Sequence, residues 1–380
     1  MSEQIQSTAD VVIIGAGVIG CSTAYHLALM GIKDVSIVEM DQVGSGSSGK
    51  SASMLSLQYS EDELTIQMTK HSYERYMAFE AEMGVPIDFK KIGWLSVASE
   101  KEAEDLRRNA ALLNSHDVKT EILGPEEIKR RYPELNTEDL ILGTWGSEDG
   151  LIDPHMVMWG YLKKAQGMGV RLHQGVKATG IQAREGKIEG VHTEKGFVSS
   201  RTVVNAGGPW AEEIGRWVDV EIPITNLART IVVTGPIADL PGGRPFLDDR
   251  VWEWYCRPEL SGTLMGMGAK PVQKIDLQTD YGMVNEIIDV AVRRIPVLEK
   301  ASMQTAWTGL RPLTPDDHPI LGPVPQVDGF ILNCGWGGRG IIQAPMAGRL
   351  VAEYIYNGYT ATLDVDLLKI ERFKEMFLDQ

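Results

Sequence analysis

The sequence predicts an α/β protein in two parts: a largely parallel sheet with helices on it, and a second, antiparallel α+β portion. Three observations carry this. Apolar runs ending in glycine or an acid alternate with helical-period stretches at both ends of the chain, and residues 223–308 read instead as alternating strands. The length of 380 residues, at roughly 150 per domain, gives two to three domains.

Composition narrows the classes. Glycine, 40 of 380 residues, exceeds the usual figure of roughly 7%, so many positions need unusual backbone angles or close approach. The net charge of -15 argues against nucleic acid or an anionic membrane as partner, since both need clustered excess cations. Cys21, Cys256 and Cys334 are far apart, which removes a disulfide framework and a zinc site; no metal is expected. The opening MSEQIQSTAD does not read as a signal peptide, and no run of 18 apolar residues occurs, so a cytoplasmic protein without an integral membrane segment is expected.

The sharpest signal lies in the first 40 residues. Val11 to Ile14 is an apolar strand running into Gly15-Ala16-Gly17-Val18-Ile19-Gly20, then a helical-period stretch, then a second strand ending at Glu39, with Met40 next as a further cofactor-binding candidate. In such a βαβ unit the first glycine allows the tight turn, the second lets a pyrophosphate approach the backbone, and the third lets the helix pack on the strand. Glu39 would take the ribose hydroxyls, and its charge disfavours a 2′-phosphate, which leaves NAD or FAD. The following small-residue loop, with Ser47, Ser48, Lys50, Ser51 and Ala52, could wrap a second polar segment such as the ribityl chain of FAD.

Further along, helices are expected at about 61–83, 99–116 (with a Ser99/Glu102 capping box), 125–132 and 153–168, the last with Asp153 as N-cap and Pro154 following. Strands and a hairpin fill 170–196, and Val203 to Asn205 runs into Ala206-Gly207-Gly208-Pro209-Trp210. Strands at 229–234, 252–256 and 263–267 precede a helix at 283–294. Residues 309–322 read as a proline-pinned loop. The 329–334 strand then enters Gly335-Trp336-Gly337-Gly338-Arg339-Gly340, and a helix from Ile341 to about Tyr356 begins there. The positive end of that helix would favour negative charge on a reduced flavin.

Five motifs, GAGVIG with Glu39, SGSSGKSASM, VVNAGGPW, GLRPLTPDDHPILGP and GWGGRGIIQAPMAGRLVAEYI, occur in this order across nearly the whole chain. Together they make the sequence resemble the D-amino-acid oxidase superfamily of flavoproteins, of the glycine oxidase, sarcosine oxidase β subunit and β-type proline dehydrogenase kind. The resemblance implies a Rossmann-like FAD domain from residues 1–85, 142–222 and 309–365, a substrate domain from 86–141 and 223–308, and a tail at 366–380. It implies that Val176 touches adenine through its backbone, that Ala206, Gly207 and Trp210 line the cofactor, and that Gly335, Gly337, Gly338, Arg339, Gly340 and Ile341 meet the flavin. Arg311 of the GLRP motif would pair with a substrate carboxylate, and Tyr255 would face the substrate.

Two departures from the family pattern matter. Gly309 stands where some sarcosine oxidases attach flavin through cysteine, so FAD should be non-covalent. Met265 is the nearest match to their oxygen-activating lysine, and Lys270, a few residues on, is out of register, so the resemblance does not imply fast reaction with oxygen; the acceptors it allows are oxygen and a dye or quinone. The reaction implied is oxidation of the C–N bond of a small amino acid or N-alkyl amino acid (glycine, sarcosine, proline or D-amino acid type) by hydride transfer to flavin N5, followed by imine hydrolysis. The alternative is an electron-relaying flavoprotein subunit of a hetero-oligomeric dehydrogenase; homo- and hetero-oligomers are both consistent with the resemblance.

Overall fold

The structure, a computed structural model, describes residue 5 and residues 7–377 apart from 274, 276 and 277. Part of the opening segment and the end of the expected tail lie outside the described residues.

Two large sheets organise the chain. A six-stranded sheet has the order Ile320–Pro323, Phe330–Cys334, Thr202–Asn205, Val11–Ile14, Val35–Glu39, Arg171–Gln174, parallel except for the Ile320–Pro323 edge. Its inner strands Val11–Ile14, Thr202–Asn205 and Phe330–Cys334 are largely apolar and buried because both faces are covered, whereas the Arg171–Gln174 edge is polar. The Val18–Leu29, Pro154–Gly167 and Gly340–Asn357 helices pack on one face. The other carries a three-stranded antiparallel sheet and the Ala211–Arg216 helix.

The second sheet has eight strands, in the order Met303–Leu313, Thr225–Thr234, Gly262–Pro271, Trp254–Glu259, Phe246–Asp249, Trp94–Ala98, Leu142–Gly146, Glu121–Leu123. Only the Phe246–Asp249/Trp94–Ala98 pair is parallel. Alternation along these strands splits the side chains between two environments. Val232, Cys256, Met265, Leu95 and Val97 pack beneath the Tyr281–Arg294 helix. Ile231, Tyr255, Phe246 and Trp94 turn the other way and join a separate apolar cluster.

Several expectations change in detail. The 61–83 helix is two, Glu63–Met77 and Phe79–Met83, broken at Ala78. It starts at a capping box of Asp62 and Thr65, whereas Ser99 bonds the Glu102 carboxylate and caps no backbone N–H. Asp153 caps its helix as expected, accepting from His155 and Met156 N–H. Residues 309–322 are not one loop: 309–313 complete an 11-residue strand and 320–323 form another, because Pro312 lies on an edge strand and its missing N–H breaks no ladder bond. Strands 142–146 and 309–313, expected with the cofactor domain, belong to the eight-stranded sheet.

Candidate active site

One cavity of about 960 Å³ runs from the end of the first βαβ unit to the inner face of the eight-stranded sheet. At the first end, backbone geometry dominates. Gly15 has φ +106°, and a Cβ there would stand 2.5 Å from the Ala206 carbonyl oxygen. Gly20 lets its helix settle directly on the Gly15 carbonyl. Glu39 ends its strand with the carboxylate shared between two backbone donors, Ala16 N–H at 2.8 Å and Asp41 N–H at 2.9 Å. Each oxygen keeps a further acceptor site, and Glu39 and Met40 line the cavity.

The small-residue loop folds over this end. Ser48 Oγ accepts from Val18 N–H at 3.1 Å, covering a donor in the first turn of the helix, and Ser47 Oγ donates to the Leu310 carbonyl at 2.6 Å. The Lys50 carbonyl accepts from Trp307 Nε1 at 3.3 Å, and the Ala52 carbonyl from Arg257 Nε at 2.7 Å. Burial lowers the Lys50 ammonium pKa, opposed by nearby Asp41. Gly309 faces Lys50, where a Cβ would approach its Cβ to 3.2 Å. Ser51, Ala206, Gly207 and Trp210 also line the cavity.

Opposite the loop, Gly335 and Gly337 take φ +72° and +51° and deliver the chain to the Gly340–Asn357 helix. The first intrahelical bond there runs from Gln343 N–H to the Arg339 carbonyl, so the N–H groups of Gly340, Ile341 and Ile342 precede the ladder, and all three residues line the cavity. Pro345 removes the bond that the Ile341 carbonyl would otherwise accept, and the Tyr76 hydroxyl donates to it instead.

At the second end side chains dominate. Arg311 projects from the Met303–Leu313 strand; its Nη2 donates to the Tyr59 hydroxyl, and its guanidinium lies 5.7 Å from the Tyr59 ring centroid. Its buried Nε has no partner. The guanidinium passes so close to the Gly338 backbone that any Cβ there would collide with it. Tyr255 is buried and stacks on Phe246 at 5.5 Å, which stacks on Trp94 at 4.2 Å. Burial raises the Tyr255 phenol pKa, opposed by the cations Arg229, Arg311 and Arg257.

Four expected positions do not line the cavity. Ala16 and Gly20 act through the backbone contacts above. Val176 gives its N–H to the Glu39 carbonyl at 2.8 Å, and its neighbours Lys177 and Ala178 reach the cavity instead. Arg339 is buried behind Tyr59, pairing with Asp317 at 2.7 Å and sitting 5.0 Å from the Tyr59 ring centroid. Met265 points into the core beneath the Tyr281–Arg294 helix, and Lys270 pairs with Asp280 at 3.4 Å. Tyr59 and Arg229 carry no signal in the sequence: each lies outside the five motifs and gains its place through long-range packing.

The model of the DAO family, FAD dependent oxidoreductase, matches residues 10–354. The chain belongs to this family. The chain shares its fold over nearly its whole length with solved enzyme structures. L-proline dehydrogenase from P. horikoshii is 28% identical with a TM-score of 0.90, covering 98% of this chain and 99% of that one. Sarcosine oxidase subunit beta from Rhodobacter capsulatus is 27% identical over 98% of this chain and 90% of its own. Mouse (Mus musculus) sarcosine dehydrogenase is 28% identical over the whole chain, but this chain spans only 43% of its length. Glycine oxidase from Geobacillus kaustophilus, at 24% identity and a TM-score of 0.87, shares the fold.

The chain thus belongs to a family described as FAD dependent oxidoreductases, and its residues suit that cofactor. The glycine cradle admits no Cβ at Gly15 or Gly20, the buried acid stands at the end of the second strand, and the cavity is at the upper limit of ordinary ligand pockets, about 1,000 Å³. Among the described residues no helix is long and apolar enough to cross a membrane, and no group of three or more His, Cys, Asp or Glu could hold a metal.

Proposed function

We propose that the chain oxidises the C–N bond of a small amino acid or N-alkyl amino acid, with Arg311 holding the substrate carboxylate. The observation that carries this is the Arg311 guanidinium itself: it reaches the cavity, pairs with no carboxylate among the described residues, and is held by Tyr59 on one side and the Gly338 backbone on the other. A planar fork so placed offers parallel donors to a carboxylate. FAD, when bound, supplies the hydride acceptor.

The protein's own task is orientation and exclusion of water. Tyr255, its phenol pushed up by burial, stays protonated and can donate a hydrogen bond at the same end of the cavity. The aromatic ladder of Trp94, Phe246 and Tyr255 gives that end an apolar wall, which favours a neutral amine able to release its lone pair. Gly309 at the strand facing Lys50 offers no thiol, so FAD is held without a covalent bond and should leave the protein on acid precipitation.

Anaerobic bleaching of the flavin by an amino acid and by the matching amine without its carboxylate tests the reading. The acid should reduce the flavin far more readily. Equal reduction by both would remove the carboxylate role from Arg311. Running the same assay on the chain alone with oxygen and with a dye distinguishes a self-sufficient enzyme from an electron-relaying subunit.

A further inference from the structure

Arg311 is not the sole guanidinium at the substrate end. Arg229 lies on the neighbouring Thr225–Thr234 strand, directly opposite Gly309, while Arg311 is opposite Leu227. The two arginines are therefore diagonal neighbours on one face of an antiparallel pair, where Cβ atoms stand roughly 7–8 Å apart or somewhat less. Gly309, opposite Arg229, puts no side chain of its own between them and packs against Lys50.

Arg229 is half-buried and lines the cavity. Its Nε donates to the Gly268 carbonyl at 2.9 Å, and its guanidinium lies 5.5 Å from the Tyr255 ring centroid. Among the described residues it forms no ion pair, like Arg311 and unlike Arg250, which pairs with Asp248 at 3.0 Å. A guanidinium has five N–H donors, and the Gly268 carbonyl uses one. A substrate with one carboxylate would engage Arg311 and leave Arg229 with no anionic partner.

We propose that Arg229 receives a second carboxylate, so that the preferred substrates are amines bearing two carboxylates, such as N-carboxymethyl or acidic amino acids. This rests on the reading of Arg311 given above. Tyr255, whose ring centroid lies 5.5 Å from the Arg229 guanidinium, lines the same end of the cavity.

The holoenzyme is titrated with methylthioacetate, which has one carboxylate, and thiodiacetate, which has two; both replace the amine by sulfur, and binding is followed by the shift in flavin absorbance. Wild type should bind thiodiacetate about tenfold more tightly or better. Arg229→Met should erase that preference while leaving methylthioacetate unchanged, and Arg229→Lys should keep part of it. Equal affinity for the two in wild type, or equal weakening of both by Arg229→Met, overturns the inference. If Arg229→Met does not fold, the wild-type ratio and Arg229→Lys decide. Methylthioacetate binding that is lost in Arg311→Met, without a preference for two carboxylates, sinks only the role of Arg229. No binding of either ligand in wild type overturns both.

Discussion

The two ends of the cavity are built from different materials. The end at Gly15, Ala206 and Glu39 is backbone against backbone, with carbonyls where any Cβ would intrude and a carboxylate occupied by amides. The end at Arg311, Arg229 and Tyr255 is a set of long side chains on a sheet face, held by one another through ring stacking and single hydrogen bonds. An error at the first end should therefore cost the cofactor and stability together. At the second end a side chain can be exchanged at the expense of ligand binding alone.

Gly15→Ala is the severest break. The new Cβ would press on the Ala206 carbonyl from a backbone angle that only glycine adopts freely. Overpacking costs about 1–3 kcal/mol and the strained angle a similar amount. The expected result is a colourless protein with a lowered unfolding temperature, read from the ratio of flavin to protein absorbance and from thermal denaturation. A yellow protein of unchanged stability would show that this end is not as tightly specified as its contacts imply.

Arg311→Met comes next and acts on the other end. Truncating one partner of a buried charged pair costs about 2–5 kcal/mol, or on the order of 30-fold to several thousand-fold in affinity for a carboxylate ligand. Flavin content should not change, and Arg311→Lys should recover only part, since an ammonium cannot offer two parallel donors. Loss of flavin in Arg311→Met would mean that the two ends are not separable.

The same contrast explains what the sequence reveals. The cofactor end is local: strand, three glycines, helix, strand and acid lie within 30 residues, so spacing alone carries the chemistry. Gly335 to Ile341 is legible for the same reason. At the substrate end Arg311 is readable only through a family motif, and its setting comes from Tyr59, 252 residues away. Arg229 depends on the register of its strand with Met303–Leu313, which no local pattern states. Reading 309–322 as a loop failed because prolines that break central strands are tolerated at an edge.

Tyr59→Phe sharpens the comparison with a smaller effect. It removes the hydroxyl that accepts from Arg311 while keeping the ring beneath both Arg311 and Arg339. A hydrogen bond to a charged group at a half-buried site should be worth about 1 kcal/mol, roughly fivefold in carboxylate affinity, with stability and flavin content preserved. An effect as large as that of Arg311→Met would make Tyr59 the true anchor of the guanidinium.

The smallest effect concerns the join between the two ends. The chain passes from the eight-stranded sheet to the parallel sheet through Thr314 to Pro319, and His318 in that crossing bonds Asp62, the N-cap of the Glu63–Met77 helix, at 2.9 Å. The bond to Asp62 raises the His318 pKa against the opposing effect of burial, and Asp316 adds to the rise. Burial alone would raise Asp62, but bonds from His318 and Thr65 outweigh it and hold the carboxyl down at about 2. A histidine whose folded pKa is raised gives stability that is complete below its unfolded value, about 6.5, and is lost as pH climbs through the folded value. The depressed Asp62 works in the opposite window: its share is complete above 3.8 and is lost as pH falls towards 2. Both side chains are about one-third exposed, so solvent screening keeps the contribution of the pair below about 1 kcal/mol. Thermal unfolding at pH 6 and pH 8 should show a loss of stability in wild type that His318→Gln reduces, with flavin content equal in both proteins. If wild type and variant lose the same amount between those pH values, the crossing is held by Arg372, which bonds Asp316 at 2.7 Å and the His318 carbonyl at 2.8 Å and does not titrate there.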